Sequence, residues 1–398
     1  MHMLAVRDPF RRAQLATAAL FCFLGFQYAT WASRLPAIKT RLDLTAAELG
    51  LLLLACGVGA AASFPLVTIL IKKLGSRRLA YLSALVLGVV LLVLAITPNY
   101  SITLLIMCCD GVAVACLNVA MNAQGAALEV TYQRTTMAKL HATFSAGGLC
   151  AGLLASGVTA VTPNLPAHFG AATIILLLLV GCTRSGLLTE DPQPPKKTRH
   201  RFALPPRMTL WLGCAMVFGT VTEGAMNDWS ALYLEDIANA ASALAPLGIA
   251  VVSGVMVLAR LFADGWRTRW GDGRVVLAGS AVAGSGLVLA LLLGGVAPAL
   301  IGFACVGLGI AAVTPCTYAA AARQGPDALT LVATMGTVGL LAGPPIIGFI
   351  ANASNLAWGM SAVAVSALLV SLCATQIRWP DRSAGRLNHA GIGEDSMS

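Results

Sequence analysis

An apolar run near residues 208–231 carries an unexpected polar insert, "VTEGAMNDWSALYL" at 221–234, with Glu223, Asn227 and Asp228. On a helix, Gly219, Thr220, Glu223, Asn227 and Ser230 share one narrow arc. Asp228 lies about 140° round from Glu223 and is expected at the outer rim, as a capping residue. A carboxylate surrounded by hydrocarbon is costly unless it is paired, hydrated or protonated. Glu223 is therefore suited to carrying a proton or gripping a polar solute; the plainer reading is a bond to neighbouring helices.

Other apolar runs carry polar stripes of the same kind. Gln27, Trp31 and Arg34 follow i, i+4, i+7 spacing, with Trp31 able to stack on a sugar-like ring. Trp31 and Arg34 equally fit an interfacial belt and a snorkelling anchor. Asn118 and Asn122 share a face and can bind hydroxyls or lock helix packing. Asp110, about two turns further out, is either a second acid of the path or part of a hydrated vestibule. His141 titrates near neutral pH; beside Glu129, Arg134 and Lys139 it reads as part of a helix-end network or of a proton path. Pro315 in "TPCTY" (314–318) breaks a run and makes Thr317 and Tyr318 weaker candidates. Gly343, Pro344 and Pro345 read as a kink with close packing.

The elements that must position these residues are membrane helices. Of 398 residues 58% are hydrophobic and 11% charged, against about 25% charged in a soluble domain. Twelve runs of about 20 apolar residues can be placed, near 13–33, 48–70, 79–97, 102–124, 138–160, 167–187, 208–231, 244–264, 275–295, 298–320, 330–352 and 356–377. Alternate connections hold 23 of the 26 Lys and Arg; the other side has only Arg34, Lys39 and Arg41. Both termini are accordingly expected in the cytoplasm, and the chain in the inner (plasma) membrane. The net charge of +9 then reflects topology and anionic lipid, with no contiguous basic face for nucleic acid. The first run is expected to be an uncleaved anchor. The 11 cysteines fall in or beside the runs without a C-x-x-C, so they read as packing residues, with no metal site or cofactor expected. No phosphate-binding loop, zinc-protease motif or nucleophile elbow occurs, which argues against ATP drive and against an enzyme.

The one long polar interruption, 189–207, is Pro-rich and basic. It divides a bundle at 1–188 from one at 208–378, followed by a tail at 379–398 expected to be disordered. Across the break "GLCAGLLASG" (148–157) aligns with "GLLAGPPIIG" (339–348), and "KKLGSRR" (72–78) with "TRWGDGR" (268–274), at offsets of 191 and 196. A weaker match joins "TWAS" (30–33) to "DWSA" (228–231). In-order matches at nearly constant offset indicate a duplicated six-helix unit, with a site expected where the halves meet.

The two basic turns resemble the signature loop of the major facilitator superfamily: Lys73, Gly75, Arg77 and Arg78 match, while Lys72 stands where an acid is usual. In the second copy Arg269 and Gly271 match and Thr268 replaces the acid, so the resemblance places a latch either there or at Arg260 and Asp264, one helical turn apart. "TWASRLPAIKTRLDLTAAELG" (30–50), "NVAMNAQGAALE" (118–129), "LHATFSAGGLCAG" (140–152), "EGAMNDW" (223–229) and "GPDALTLVATMGTVGLLAGPPIIG" (325–348) resemble its YbjJ-like branch, which includes MosC-like proteins and is related to fucose permeases. Those relatives often carry a carboxylate near the Asn118 position. The resemblance implies a monomeric twelve-helix transporter moving a small polar, sugar- or polyol-like solute, coupled to protons. Glu223 would be its leading carboxylate, and Gln27, Asn118, Asn122 and Asn227 its polar binders. The alternatives are proton-antiport efflux and, in another class, a non-transporting sensor or scaffold.

Overall fold

The computed structural model describes residues 8–183, 186–189 and 206–379; most of the expected linker and tail lie outside these. Fourteen helices fill the described residues: α1 (Pro9–Ala32), α2 (Leu35–Leu42), α3 (Ala46–Ala62), α4 (Phe64–Leu94), α5 (Tyr100–Tyr132), α6 (Met137–Val161), α7 (Leu165–Thr183), α8 (Arg207–Asp236), α9 (Leu247–Trp270), α10 (Asp272–Leu293), α11 (Val296–Ile310), α12 (Val313–Gln324), α13 (Pro326–Ala353) and α14 (Leu356–Gln376). They trace twelve membrane crossings. The second crossing is α3 continued into α4, broken at Ser63 where Pro65 removes an N–H and crowds the preceding turn. α4 then turns back at Gly75, which has φ 75°, so its remainder is the third crossing. The tenth crossing is α11 continued into α12. Its break falls at 311–312, one turn before Pro315, because the ring clashes with the carbonyl four residues earlier.

Ten of the helical stretches are long and apolar enough to span a bilayer by themselves. α8 is not among them, since Thr220, Thr222, Glu223, Asn227 and Asp228 interrupt its apolar surface. The short helix α2 was not expected from hydropathy. It lies against the protein with Leu35, Pro36 and Ile38 buried and ends at Asp43 in the left-handed region. Arg41 on α2 holds the turn after α4 through the Leu94 carbonyl (3.0 Å) and Thr97 Oγ1 (2.9 Å).

α1–α7 pack together as one half and α8–α14 as the other. The duplication is visible in the backbone: Gly75 and Gly271 adopt nearly the same conformation, φ 75° and ψ 162° against φ 83° and ψ 153°. Only glycine takes this conformation readily, which explains why the two basic turns share it.

Two seams join the halves, both away from the basic connections. In one, α3 lies on α13, with Gly50 so close to Pro345 and Gly348 that a Cβ there would stand 3.2 Å from each Cα. In the other, α6 lies on α9, where a Cβ on Gly152 would meet the Ala250 nitrogen at 2.9 Å. Ser156 Oγ donates to the Ala243 carbonyl (2.5 Å), and Lys39 pairs with Asp236 (2.5 Å), closing the same side. Toward the basic side, Gln14–Thr136, Gln124–Leu188 and Thr209–Gln324 each tie helices of one half only. Asn118, Thr330, Thr334 and Thr337 are exposed there. The halves are thus shut on one side of the membrane and parted on the basic side.

Close helix approach on α6 has a direct consequence. A side chain at Gly147 would strike the Cys22 carbonyl and come within 2.8 Å of the Phe26 nitrogen on α1, whereas Gly157 on the same helix has open space. Gly147→Val is expected to lower stability by about 2 kcal/mol or more, as overpacking at a backbone contact does. Gly157→Ala should be neutral or stabilising by up to about 1 kcal/mol. Thermal unfolding of the purified variants compares the two.

Candidate functional site

α8 lies at the centre, touching α1 and α2 of the other half as well as its own neighbours. Its Glu223 meets Arg260 of α9, whose Nη2 donates to Glu223 Oε1 at 3.2 Å. The same guanidinium donates from Nη1 to Ser145 Oγ of α6 at 2.5 Å. One arginine therefore holds the acid of its own half and a hydroxyl of the other. The two side chains are 17% and 24% exposed for Arg260 and Glu223, so the pair is shielded without being sealed. His141, one turn before Ser145 on α6, lies within electrostatic reach of both charges. Tyr28, Ser145, Glu223, Asn227, Ser253 and Met256 line a cavity of ≈ 20 Å³ between the halves. That is room for about one water molecule.

A second polar group sits beside the first. The Tyr28 hydroxyl on α1 donates to Asp228 Oδ1 on α8, again between halves. Asp228, expected at the rim, is 3% exposed: the face 140° from Glu223 is covered by α1. Gln27, fully buried, donates from Nε2 to Asp110 Oδ1 at 2.8 Å, and the Cys56 thiol lies 3.7 Å from Asp110 Oδ2. Cys56 is within electrostatic range of both Asp110 and Asp228. Neither aspartate forms a salt bridge among the described residues, so neutral donors alone hold them. Close packing sets this geometry, since a Cβ on Gly111 would collide with the Cys56 carbonyl.

Trp31 is buried edge-on to Tyr28 (4.9 Å between rings), so no ring face is presented in this conformation. Arg34 is held by Thr159 Oγ1 (2.5 Å) and the Pro163 carbonyl (2.6 Å), fastening the end of α1 to the α6–α7 connection. Asn122 donates to Asn118 Oδ1 (2.9 Å), and this amide pair faces the parted side. Tyr318 is half-buried against the core of its half. Glu129 accepts from the Thr136 and Met137 amides (2.5 and 2.9 Å), closing the α5–α6 turn. His141 packs edge-on to Phe21. Lys73 and Arg78 are exposed beside Gly75, with Arg77 half-buried. The expected Arg260–Asp264 latch is not formed: Arg260 turns to Glu223, while Asp264, its side chain 81% exposed, meets Arg267 at 3.4 Å. An exposed i, i+4 partner offers little, and the shielded acid offers more. Tyr28, Ser145 and Cys56 were not singled out by sequence. Their polar atoms matter only through partners on other helices, 200 residues away for Tyr28.

Breaking the central pair from one side should be costly. Arg260→Met leaves Glu223 without its cation and is expected to destabilise by about 2 kcal/mol, below a fully buried pair because both groups retain some exposure. The Glu223→Gln/Arg260→Met double variant should recover most of that loss. A thermal-unfolding cycle over the four proteins measures the coupling; additive losses would mean the pair is not energetically linked.

The chain is 33% identical over 389 residues to an uncharacterized MFS-type transporter of Yersinia pestis, covering 95% of this chain and 98% of that one. It is 30% identical to the membrane protein MosC of Rhizobium meliloti over 357 residues, covering 88% and 86%. Among solved structures, the nucleoside transporter NupG superposes with a TM-score of 0.71 at 13% identity, covering 93% of this chain and 99% of NupG. A bacterial homolog of the human lysosomal transporter Spinster, inward-facing and occupied, gives 0.69 at 14% identity, covering 93% and 97%. At such identities the likeness is one of fold. The family model for the Major Facilitator Superfamily matches residues 15–327, and on that span, with relatives at this identity along nearly the whole chain, the protein belongs to that superfamily of transporters.

Proposed function

We propose that this transporter moves a small polar, sugar- or polyol-like solute by alternating access, with proton binding coupled to the movement of the halves. One observation carries the reading: the guanidinium of Arg260 is shared between Glu223 in its own half and Ser145 in the other. While Glu223 is ionised it competes for the arginine. Protonation removes that pull, so the same event changes what holds the halves together. A ligand bearing hydroxyls can replace Ser145 or Asn227 as partner, which ties solute binding to the same group. Gln27, Asn118 and Asn122 supply further amides, and Gln27 Oε1 has no hydrogen-bond partner among the described residues. Asp110 is a second place to hold a proton. The orientation that goes with this reading puts the basic connections, and the parted side, in the cytoplasm of a cell's inner membrane. A single chain contains both halves and both seams, so a monomer suffices.

A thermal-shift screen of sugars, polyols and nucleosides on the purified protein identifies the solute, because a ligand that binds only the folded state raises its melting point. With that solute, Glu223→Gln in proteoliposomes should lose accumulation driven by a pH gradient and keep solute exchange. An unchanged dependence on the gradient would remove Glu223 from the coupling role. A protonophore should abolish concentrative uptake in cells; a rise in cell content instead would assign the protein to proton-antiport efflux.

A further inference from the structure

A feature on the outside of the second half has no part in the path between the halves. Phe262, Trp266 and Trp270 follow one another along one face of α9, with ring centroids 6.2 and 6.4 Å apart and planes inclined by 24° and 19°. The row runs to the end of the helix, at the level of the basic turn. Beside it a cavity of ≈ 390 Å³ lies between α9, α10 and α11, deepened by small residues: Ala259, Ala263, Ala278, Gly279 and Gly309. Its surroundings are lipid-facing, with Leu258, Phe262, Val282 and Leu308 all exposed.

At the membrane surface this groove runs into a polar cavity of ≈ 540 Å³, and Trp270 and Arg274 line both. The polar cavity also holds Arg269 and Arg323. Asp272 lines it too, but Arg267 neutralises that carboxylate with bonds of 3.0 and 3.3 Å. Arg269, Arg274 and Arg323 are exposed and form no salt bridge among the described residues. The Trp379 indole, fixed by its bond to the Ala374 carbonyl (2.9 Å), closes the far wall.

We infer that this site binds one anionic phospholipid, its phosphate among Arg269, Arg274 and Arg323 and an acyl chain in the groove beside the aromatic row. Charge complementarity selects the headgroup: three arginines without carboxylate partners, at the depth where lipid phosphates lie, favour an anion. The apolar groove continuing from the cationic cavity selects an amphiphile over a soluble phosphate. The stacked indoles belong at this depth, where an apolar body and a polar edge are both matched. A lipid wedged between α9 and α10 would brace the helix that carries Arg260, which gives the site a route to the transport cycle.

The test uses the full chain in detergent micelles doped with phosphatidylglycerol or with phosphatidylcholine of the same acyl chains. Native mass spectrometry counts retained lipid, and thermal unfolding reads its effect. Phosphatidylglycerol is expected to bind at a stoichiometry of one above the phosphatidylcholine background and to raise the melting point. Arg274→Gln/Arg323→Gln should weaken that binding by about thirtyfold, the effect of two lost surface charges. Lipid-free stability should not change, since both side chains are exposed. Arg77→Gln/Arg78→Gln, on the basic turn of the other half, should leave the tight site intact. Equal retention of the two lipids, or full phosphatidylglycerol affinity in the Arg274/Arg323 variant, would overturn the assignment. So would competition by glycerol phosphate alone at the same concentration, or binding that appears only once the segment beyond Trp379 is removed.

Discussion

A charge held inside a bilayer is the constraint on which the centre of this protein depends. An isolated carboxylate or guanidinium at mid-membrane costs about 3 kcal/mol on insertion scales. Glu223 and Arg260 offset that cost for each other, but a guanidinium has five N–H donors and one carboxylate does not satisfy them all. The surplus donor goes to Ser145 on the opposite half. Compensation of the acid and attachment of the halves are thereby made by one planar group, and neither can change without the other. Lysine would not do this, since a point charge lacks the fork that reaches two acceptors in fixed directions.

The seams explain how such attachment stays reversible. Lipid offers helices no hydrophobic reason to associate, so packing and a few hydrogen bonds carry the association. Both seams rely on close backbone approach at small residues, Gly50 with Gly348 and Gly152 with Ala250. Surfaces of this kind slide and part without extracting long interlocked side chains. They are also equivalent by the duplication: α6, which carries "GLCAGLLASG", and α13, which carries "GLLAGPPIIG", each supply one side of a seam. The repeat found along the chain is therefore a repeat of the interface itself, which is why it survives where most of the two halves has diverged.

Much of this was legible in the sequence. Twelve crossings follow from apolar run length, and the paired basic turns announce Gly75 and Gly271 in matching conformations. The acid on α8 was visible because a charge in an apolar run is rare enough to need a cause. What could not be read is which distant groups meet it. The family resemblance offered Asp264, one helical turn away, as one possible latch partner of Arg260, and that residue is exposed while the arginine crosses to another helix. Asp228 was set aside because it turns away from Glu223, yet on that side stands α1 with Tyr28. α2 escaped notice because eight residues between two crossings leave no hydropathy signal, and its burial depends on helices elsewhere in the chain.

The weak apolar character of α8 has its origin in its central position. A helix between the two halves faces polar groups on more than one side: Arg260 and Ser145 at Glu223, Tyr28 at Asp228, and the Gly336 carbonyl at Thr220 (2.9 Å). Each such contact removes apolar surface that would otherwise favour insertion, so α8 cannot rely on its own hydropathy to stay in the membrane. Its neighbours must hold it. α13 and α14 pack along it, with Ser366 bonded to the Phe218 carbonyl (3.0 Å) and Val221 in ordinary contact distance of the Gly343 position. A crossing poorly able to insert alone is thus largely enclosed by protein. An apolar replacement of its polar residues would make a better membrane helix and leave Arg260 without its carboxylate and Tyr28 without its acceptor. In a transporter the polarity of the central helix and the stability of the fold are opposed, and the enclosure of α8 by its own bundle is how this chain reconciles them.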